Sequence, residues 1–359
     1  KGAKIYNVSR GRLSVFNTSS KKSESRPFNA AMTIDHKQER EQIMNEVWRA
    51  LNAGFYDPNF HGQDWEQLRK QYRERIVKAS TAQDFRAMVN EMLGQLNASH
   101  MGLYGGNPEE TQADRTGYLG IEVKPERNGV VVSRKIGQAP ADRKNSRLNI
   151  GDKITAVNGE AVNSSTNFWK LMDETRNDLV YLQVEGRSGK REVVIEPASS
   201  LGSAIYEDWV EERRRLTDQY SNGQLGYIHI RGMNWPSFEV FERELTASAY
   251  GKKGLIIDVR NNGGGWTTDM VMAVLNTRQH SYTVPRGATD DLKNHRDFKD
   301  TYPFGERLPF PVVKVPTIAM CNEGSYSNAE IFSHAYKALG HGKLVGTPTF
   351  GAVISTGGQ

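Results

Sequence analysis

The chain has little with which to crosslink itself or hold a metal. Only Cys321 among its 359 residues is a cysteine, which excludes internal disulfides and any zinc site built on thiolates. The eight histidines include no HExxH spacing. His334 and His341 stand seven apart and can share a helix face, but no third ligand is near, so they read as core or surface residues. No apolar run approaches the length of a membrane-spanning helix. No basic, apolar, small-residue start marks a signal peptide, and a chain that opens on Lys1 leaves the compartment open. Charge of one sign is also lacking: 47 basic residues face 42 acidic ones, for a net charge of +5. The two signs are interleaved, as in EERRRLTD, and no basic stripe with aromatics between is present. Nucleic acid is therefore not an expected partner. No cofactor is implied either, since GxxxxGK[ST] is absent and the spacing GxGxxG fails.

What is there divides into four stretches, in keeping with roughly two to four domains for this length. Residues 1–32 alternate weakly (KIYNVSRGRLSVFN) and turn polar, which predicts a β-hairpin and a linker. Residues 33–112 carry helical signals. Asp35 caps a stripe of Ile43, Val47 and Leu51, and Asp64 caps a helix through Ile76. Ser80 and Gln83 form a capping box ahead of Phe85, Met88, Val89, Met92 and Leu93. Residues 113–200 are short β runs split by Gly and Asn turns, with one predicted helix, SSTNFWKLMDETR. Residues 201–359 open with a charged helix and then alternate strands (LGYIHI, GLIIDVR, VPTIAMC, KLVGTPTF) with helices, the pattern of an α/β layered core.

Three segments can carry chemistry. VRNNGGGWTTD places three glycines between a buried strand and a helix. It is a phosphate cradle, a set of backbone N–H groups facing an oxyanion, or a plain tight turn. LNASHMGLY offers His100, which is a structural histidine or a general base. CNEGSYSNAEIF sets Ser327 at a predicted helix start with Glu330 three residues on. Ser327 is thus a capping-box serine or a nucleophile at the positive end of a helix. Ser325 is the competing nucleophile, further from the helix start. The GxSxG elbow is absent.

Taken in order, the helical region, the β-rich module, GLIIDVRNNGGG and SYSNAE resemble the C-terminal processing peptidases, and most closely the tricorn-like serine peptidases. The resemblance covers roughly residues 33–359. It implies an α+β multidomain fold with a helical bundle, a PDZ-like β-rich domain and a crotonase-like α/β catalytic core, residues 1–32 being the end of a propeller. It implies hydrolysis of peptides through an acyl-enzyme on Ser327, with His100 as base and Ser99 orienting it. The N–H groups of Gly264 and Asn328 would be oxyanion donors, Gly265 being the neighbouring choice. Leu119, Gly120 and Ile121 match a PDZ carboxylate-binding loop. The partners so implied are a peptide or unfolded protein and further copies of the chain, with no membrane insertion; export to a periplasm is favoured over the cytosol. Two departures stand out. The lysine base of processing peptidases would fall at Ala352. The acid that orients the tricorn pair would lie beyond Gln359, so a longer chain is expected. A catalytically inactive PDZ-type peptide-binding scaffold is the alternative, and a lipid-binding relative a less favoured third.

Overall fold

The computed structural model describes residues 2–28, 31–105, 114–278 and 315–354. The predicted division between residues 112 and 113 lies outside these. The chain forms two compact units, Lys1–Glu110 and Thr111–Gln359.

The first unit opens with an antiparallel sheet of three strands, β1 (Lys4–Ser9), β2 (Arg12–Asn17) and β3 (Lys22–Ser25), in the order β1-β2-β3. The third strand, KSES, corrects the predicted linker. It has no apolar residue to announce it and forms because β2 offers an unpaired edge, pairing Ser14 with Ser25 and Val15 with Glu24. Three helices follow: α1 (His36–Gly54), α2 (Trp65–Val77) and α3 (Ala82–Gly94). Asp35 caps α1, accepting from the N–H groups of Lys37 and Gln38, and Asp64 caps α2 through Gln67 N–H. The cap of α3 is Thr81, not the predicted Ser80: Thr81 takes the extended conformation and accepts from Asp84 N–H at 3.0 Å. Thr81 and Asp84 repeat the spacing of Ser80 and Gln83 one residue later, and the β-branched residue prefers the extended backbone a cap requires. Met44, Ile76, Val89, Met92 and Leu96 make a closed core between the helices. Trp48 and Trp65 bolt α1 to α2, each indole N–H donating to the other's carbonyl at 3.1 Å.

The second unit begins with an antiparallel sheet. Its strands are β4 (Ile121–Glu126), β5 (Gly129–Lys135), β6 (Lys153–Val157), β7 (Glu160–Ala161), β8 (Val180–Gly186) and β9 (Gly189–Ile195). They run in the order β4-β5-β6-β8-β9, with β7 paired to β6, so β4 is an edge. Val130, Ile154, Leu182 and Val193 are buried and form one core. The predicted helix over SSTNFWKLMDETR is only a short 3-10 segment, Phe168–Met172. Asn163, Ser165 and Thr166 tie up their own backbone in a turn before it. Phe168 and Met172 reach the core, and Asp173 then leaves helical space.

The remaining elements are α4 (Gly202–Ser221), β10 (Leu225–His229), α5 (Trp235–Ala249), β11 (Gly254–Asp258), α6 (Thr268–Asn276), β12 (Thr317–Cys321), α7 (Asn328–Ala338) and β13 (Gly342–Gly346). The four strands are parallel and lie side by side in sequence order. Leu255, Ile257, Phe238, Phe241, Val271, Phe332 and Tyr336 bury the space between sheet and helices. A parallel sheet so covered brings loops together at the carboxyl ends of its strands. The segments after β10, β11 and β12 meet there.

Candidate active site

The loops that leave β11 and β12 are held together by a web of asparagine and serine bonds. Asn262 is fully buried, and its Nδ2 donates to Ile230 O at 2.8 Å while its Oδ1 accepts from Gly264 N–H at 2.9 Å. Its own carbonyl accepts from Tyr326 N–H at 2.9 Å, which joins the glycine turn to the serine loop. Asn261 and Asn322 pair reciprocally, at 2.9 Å and 3.0 Å. Ser325 is fully buried, donates to Val259 O at 2.7 Å and accepts from Asn322 N–H. Both of its roles are structural, so it is a brace of this loop.

Two of the three glycines, Gly264 and Gly265, are required by closeness of approach. Gly264 (φ +90°) lies so near the serine loop that an added Cβ would stand 2.7 Å from Ser327 Cβ and 2.9 Å from Asn328 N. Gly265 (φ +143°) has room for no side chain at all, its missing Cβ falling on Met233 O. Met233 N–H donates to Gly264 O at 2.9 Å, and Trp266 N–H returns a bond to Met233 O. Of the three sequence readings, the tight turn is therefore real. It leaves Gly264, Ser327 and Asn328 in one place, with Gly264 N–H occupied by Asn262.

Ser327 is the N-cap of α7 and carries backbone angles of φ +56° and ψ −119°. A non-glycine residue stays in that region only when its surroundings force it to. The force comes from Glu330, a buried carboxylate. It accepts from Ser327 N–H at 2.9 Å, the reciprocal arm of the capping box, and also from Gly351 N–H at 2.5 Å and Ala352 N–H at 3.2 Å. The same site gathers a second helix start. Asn328 Oδ1 accepts from Thr268 N–H at 2.9 Å and Asn328 O from Thr268 Oγ1–H at 2.6 Å, so α6 and α7 begin against each other. Two helix amino ends there favour negative charge.

Burial alone would push the Glu330 carboxyl up, but the N–H groups of Gly351, Ser327 and Ala352 outweigh it and hold it below the usual carboxylate range. A carboxyl depressed in the folded state stabilises it fully above the unfolded value near about 4.3, and that contribution disappears as pH falls through the lower folded value. The melting temperature of Glu330→Gln is therefore expected to fall less steeply below pH ~4 than that of the natural chain. Melts recorded in parallel across that range check this; parallel curves would remove Glu330 from the linkage.

Behind the turn lies a buried polar cluster. Asp258, fully buried, accepts from Tyr227 Oη–H at 2.7 Å and from Arg260 Nη2 at 2.6 Å and Nε at 2.9 Å. His229 donates from Nε2 to Arg260 O at 2.8 Å, which leaves Nδ1 to accept from Tyr206 Oη–H at 2.9 Å. Burial lowers the pKa of His229 and raises that of Tyr206 to about 12. The cluster fixes the strand end from which the glycine turn leaves.

His100 and Ser99 belong to the first unit. They follow α3, with Ser99 Oγ 2.8 Å from His100 Nδ1; His100 is exposed and has φ +61°. In the PDZ-like sheet, Leu119 is fully buried, Ile121 is buried and begins edge strand β4, and Gly120 has φ +80°. Leu119 O and Gly120 O accept from Ala141 and Ile136. Ala352, the position of the alternative lysine, lies in the loop that Glu330 holds. Among the described residues no cluster of three or more His, Cys, Asp or Glu could hold a metal, and no helix is long and apolar enough to cross a membrane. The sequence reading missed Asn262, the side chain of Asn328 and the reach of Glu330. An Asn-Asn pair at the end of a buried strand was the one available signal for Asn262.

The sequence matches three families in order: the Tricorn protease C1 domain over residues 36–94, the PDZ domain over 117–196 and Peptidase family S41 over 224–358. It is 28% identical over 324 residues to the tricorn protease of Thermoplasma acidophilum, covering 87% of this chain and 28% of that one. It is 28% identical over 333 residues to tricorn protease homolog 1 of Streptomyces coelicolor, covering 90% and 30%. The chain thus spans less than a third of either relative's length. With the chloroplastic C-terminal processing peptidase of Tetradesmus obliquus it shares 24% identity over 351 residues, covering 90% of this chain and 70% of that one. A crystal structure of the tricorn protease superposes with a TM-score of 0.75 at 24% identity, covering 96% of this chain and 33% of that one, and shows the same fold. Residues 224–358 thus carry a Peptidase family S41 domain, within a chain that has the fold of the tricorn protease. Over most of its length the chain is similar to the tricorn proteases, and its residues 224–358 match Peptidase family S41.

Proposed function

We propose that the chain hydrolyses peptide bonds through an acyl-enzyme on Ser327. The observation that carries the reading is the strained Ser327 cap, pressed against Gly264 at the joint amino ends of α6 and α7. His100 Nε2 takes the Ser327 proton. In the tautomer whose Nδ1–H donates to Ser99 Oγ, Nε2 carries the lone pair that takes the proton. Ser327 Oγ attacks the substrate carbonyl, and the oxygen that gains charge is received by the N–H groups of Asn328 and of Gly264 or its neighbour Gly265. His100 then protonates the departing amine, and a water, losing its proton to His100, releases the acid. Gly265 is the readier donor in this state because Gly264 N–H already serves Asn262.

Peptides or unfolded proteins are the substrates of this reading. Leu119, Gly120 and Ile121, which lead into edge strand β4, take a chain end or an extended segment by strand addition. Assembly into a homo-oligomer belongs to the same proposal and is read by sedimentation. A fluorophosphonate is expected to label one residue, mapped by peptide mass to Ser327, and His100→Ala is expected to slow that labelling by about 100- to 10,000-fold. Label on Ser325, or labelling that ignores His100, would overturn the assignment.

A further inference from the structure

Two large aromatic side chains stand exposed beside the glycine turn. Trp266 follows Gly265 directly and is 59% exposed; Trp235, which opens α5, is 47% exposed. Their rings lie 6.5 Å apart and nearly parallel, at 8°. Trp235 is pinned: it rests on buried Phe238 at 5.5 Å, and its Nε1–H donates to Glu239 Oε1 at 2.8 Å. Trp266 is held through its backbone by Met233, which also bonds Gly264. One set of bonds therefore fixes both the turn beside Ser327 and the position of Trp266.

Distance sets what this pair can touch. Two Cα–Cα steps of about 3.8 Å keep the Trp266 Cα within about 8 Å of that of Gly264, and an extended peptide advances about 3.3 Å per residue. An acyl group on Ser327 thus brings residues adjacent to the cut bond within reach of the indoles. Exposed, rigid aromatic faces gain most from covering by apolar surface and give little to a carboxylate or amide.

We propose that Trp266 and Trp235 form the wall of a side-chain subsite at this centre and select substrates with a large apolar or aromatic residue within about two positions of the cut bond. The inference rests on the Ser327 reading for the location of that bond.

The test uses the full chain carrying Ser327→Ala and three dye-labelled peptides that differ only by Phe, Ala or Lys at a central pair of positions. The Phe peptide is expected to bind more tightly than the other two. Adding Trp266→Ala is expected to erase about 30-fold of that preference, and Trp266→Phe to keep most of it. Equal binding of all three peptides overturns the subsite, as does a preference for Lys. A loss that falls equally on every peptide, with a lowered melting temperature, does so too, because it would show that the indoles are covered by the chain itself. Fluorophosphonate labelling of the natural chain is scored separately. If that label is absent while the Phe preference depends on Trp266, the Ser327 reading fails and the aromatic site stands.

Discussion

Ser327→Ala is expected to lower kcat on a peptide substrate by about a millionfold with the fold intact. The size follows from the absence of a substitute. Ser325, two residues away, is buried and its hydroxyl already donates to Val259 O and accepts from Asn322 N–H, so it has neither access nor a free proton path. The residual rate is what binding and oxyanion donors supply without a nucleophile. The fold survives because the unusual backbone at residue 327 is enforced from outside. Glu330 holds its N–H, and Asn328 ties the next residue to Thr268. Alanine meets the same steric demand at φ +56° as serine does. Loss of the cap hydroxyl is expected to cost about 1 kcal/mol. Single-turnover kinetics and thermal melts check the two halves separately. A variant that keeps its rate would transfer the chemistry to another residue, and one that fails to fold would make Ser327 the structural cap that its spacing with Glu330 also allows.

How far the sequence foretold this arrangement depends on the range of each interaction. GLIIDVR announced itself as a buried strand because a sheet covered on both faces needs near-continuous apolar residues, and LGYIHI and VPTIAMC read as strands beside it. The start of α7 was legible because Ser327 and Glu330 keep a local spacing. Interactions that join distant segments left no such trace. The bond from Tyr326 to Asn262 and the reciprocal Asn261–Asn322 pair span about sixty residues, and nothing in either segment names its partner. The third strand of the first sheet is as polar as a linker and is defined by the edge it meets. The helix expected over SSTNFWKLMDETR lost to turn chemistry at Asn163 and to the burial of Phe168 and Met172. The exposed Trp235–Trp266 pair is invisible in sequence because the two residues lie on separate segments that Met233 joins.

Asp258→Ala is expected to destabilise the second unit by about 3–5 kcal/mol, the range found when one partner of a buried charge pair is removed. The carboxylate is fully buried and accepts from Tyr227 Oη–H, the Arg260 guanidinium and, at 2.9 Å, Arg260 N–H. Removal orphans all of these at once. The Arg260 side chain is 27% exposed and can regain part of its hydration, which favours the lower end of the range. Tyr227 cannot do so, since it is 4% exposed. Tyr227→Phe, by contrast, removes one neutral donor and is expected to cost about 1 kcal/mol. Asp258→Ala combined with Arg260→Ala should cost less than the sum of the two, because the orphaned cation is then gone. Denaturant titrations of the four proteins measure each quantity, and strict additivity would show that the pair is not coupled. The effect should reach the chemistry as well. Residues 258–260 anchor the strand end from which Asn262 closes the glycine turn, so a loosened anchor should lower kcat more than it raises KM. A variant that lost stability yet kept its kcat would show that the turn is held from the Met233 side alone.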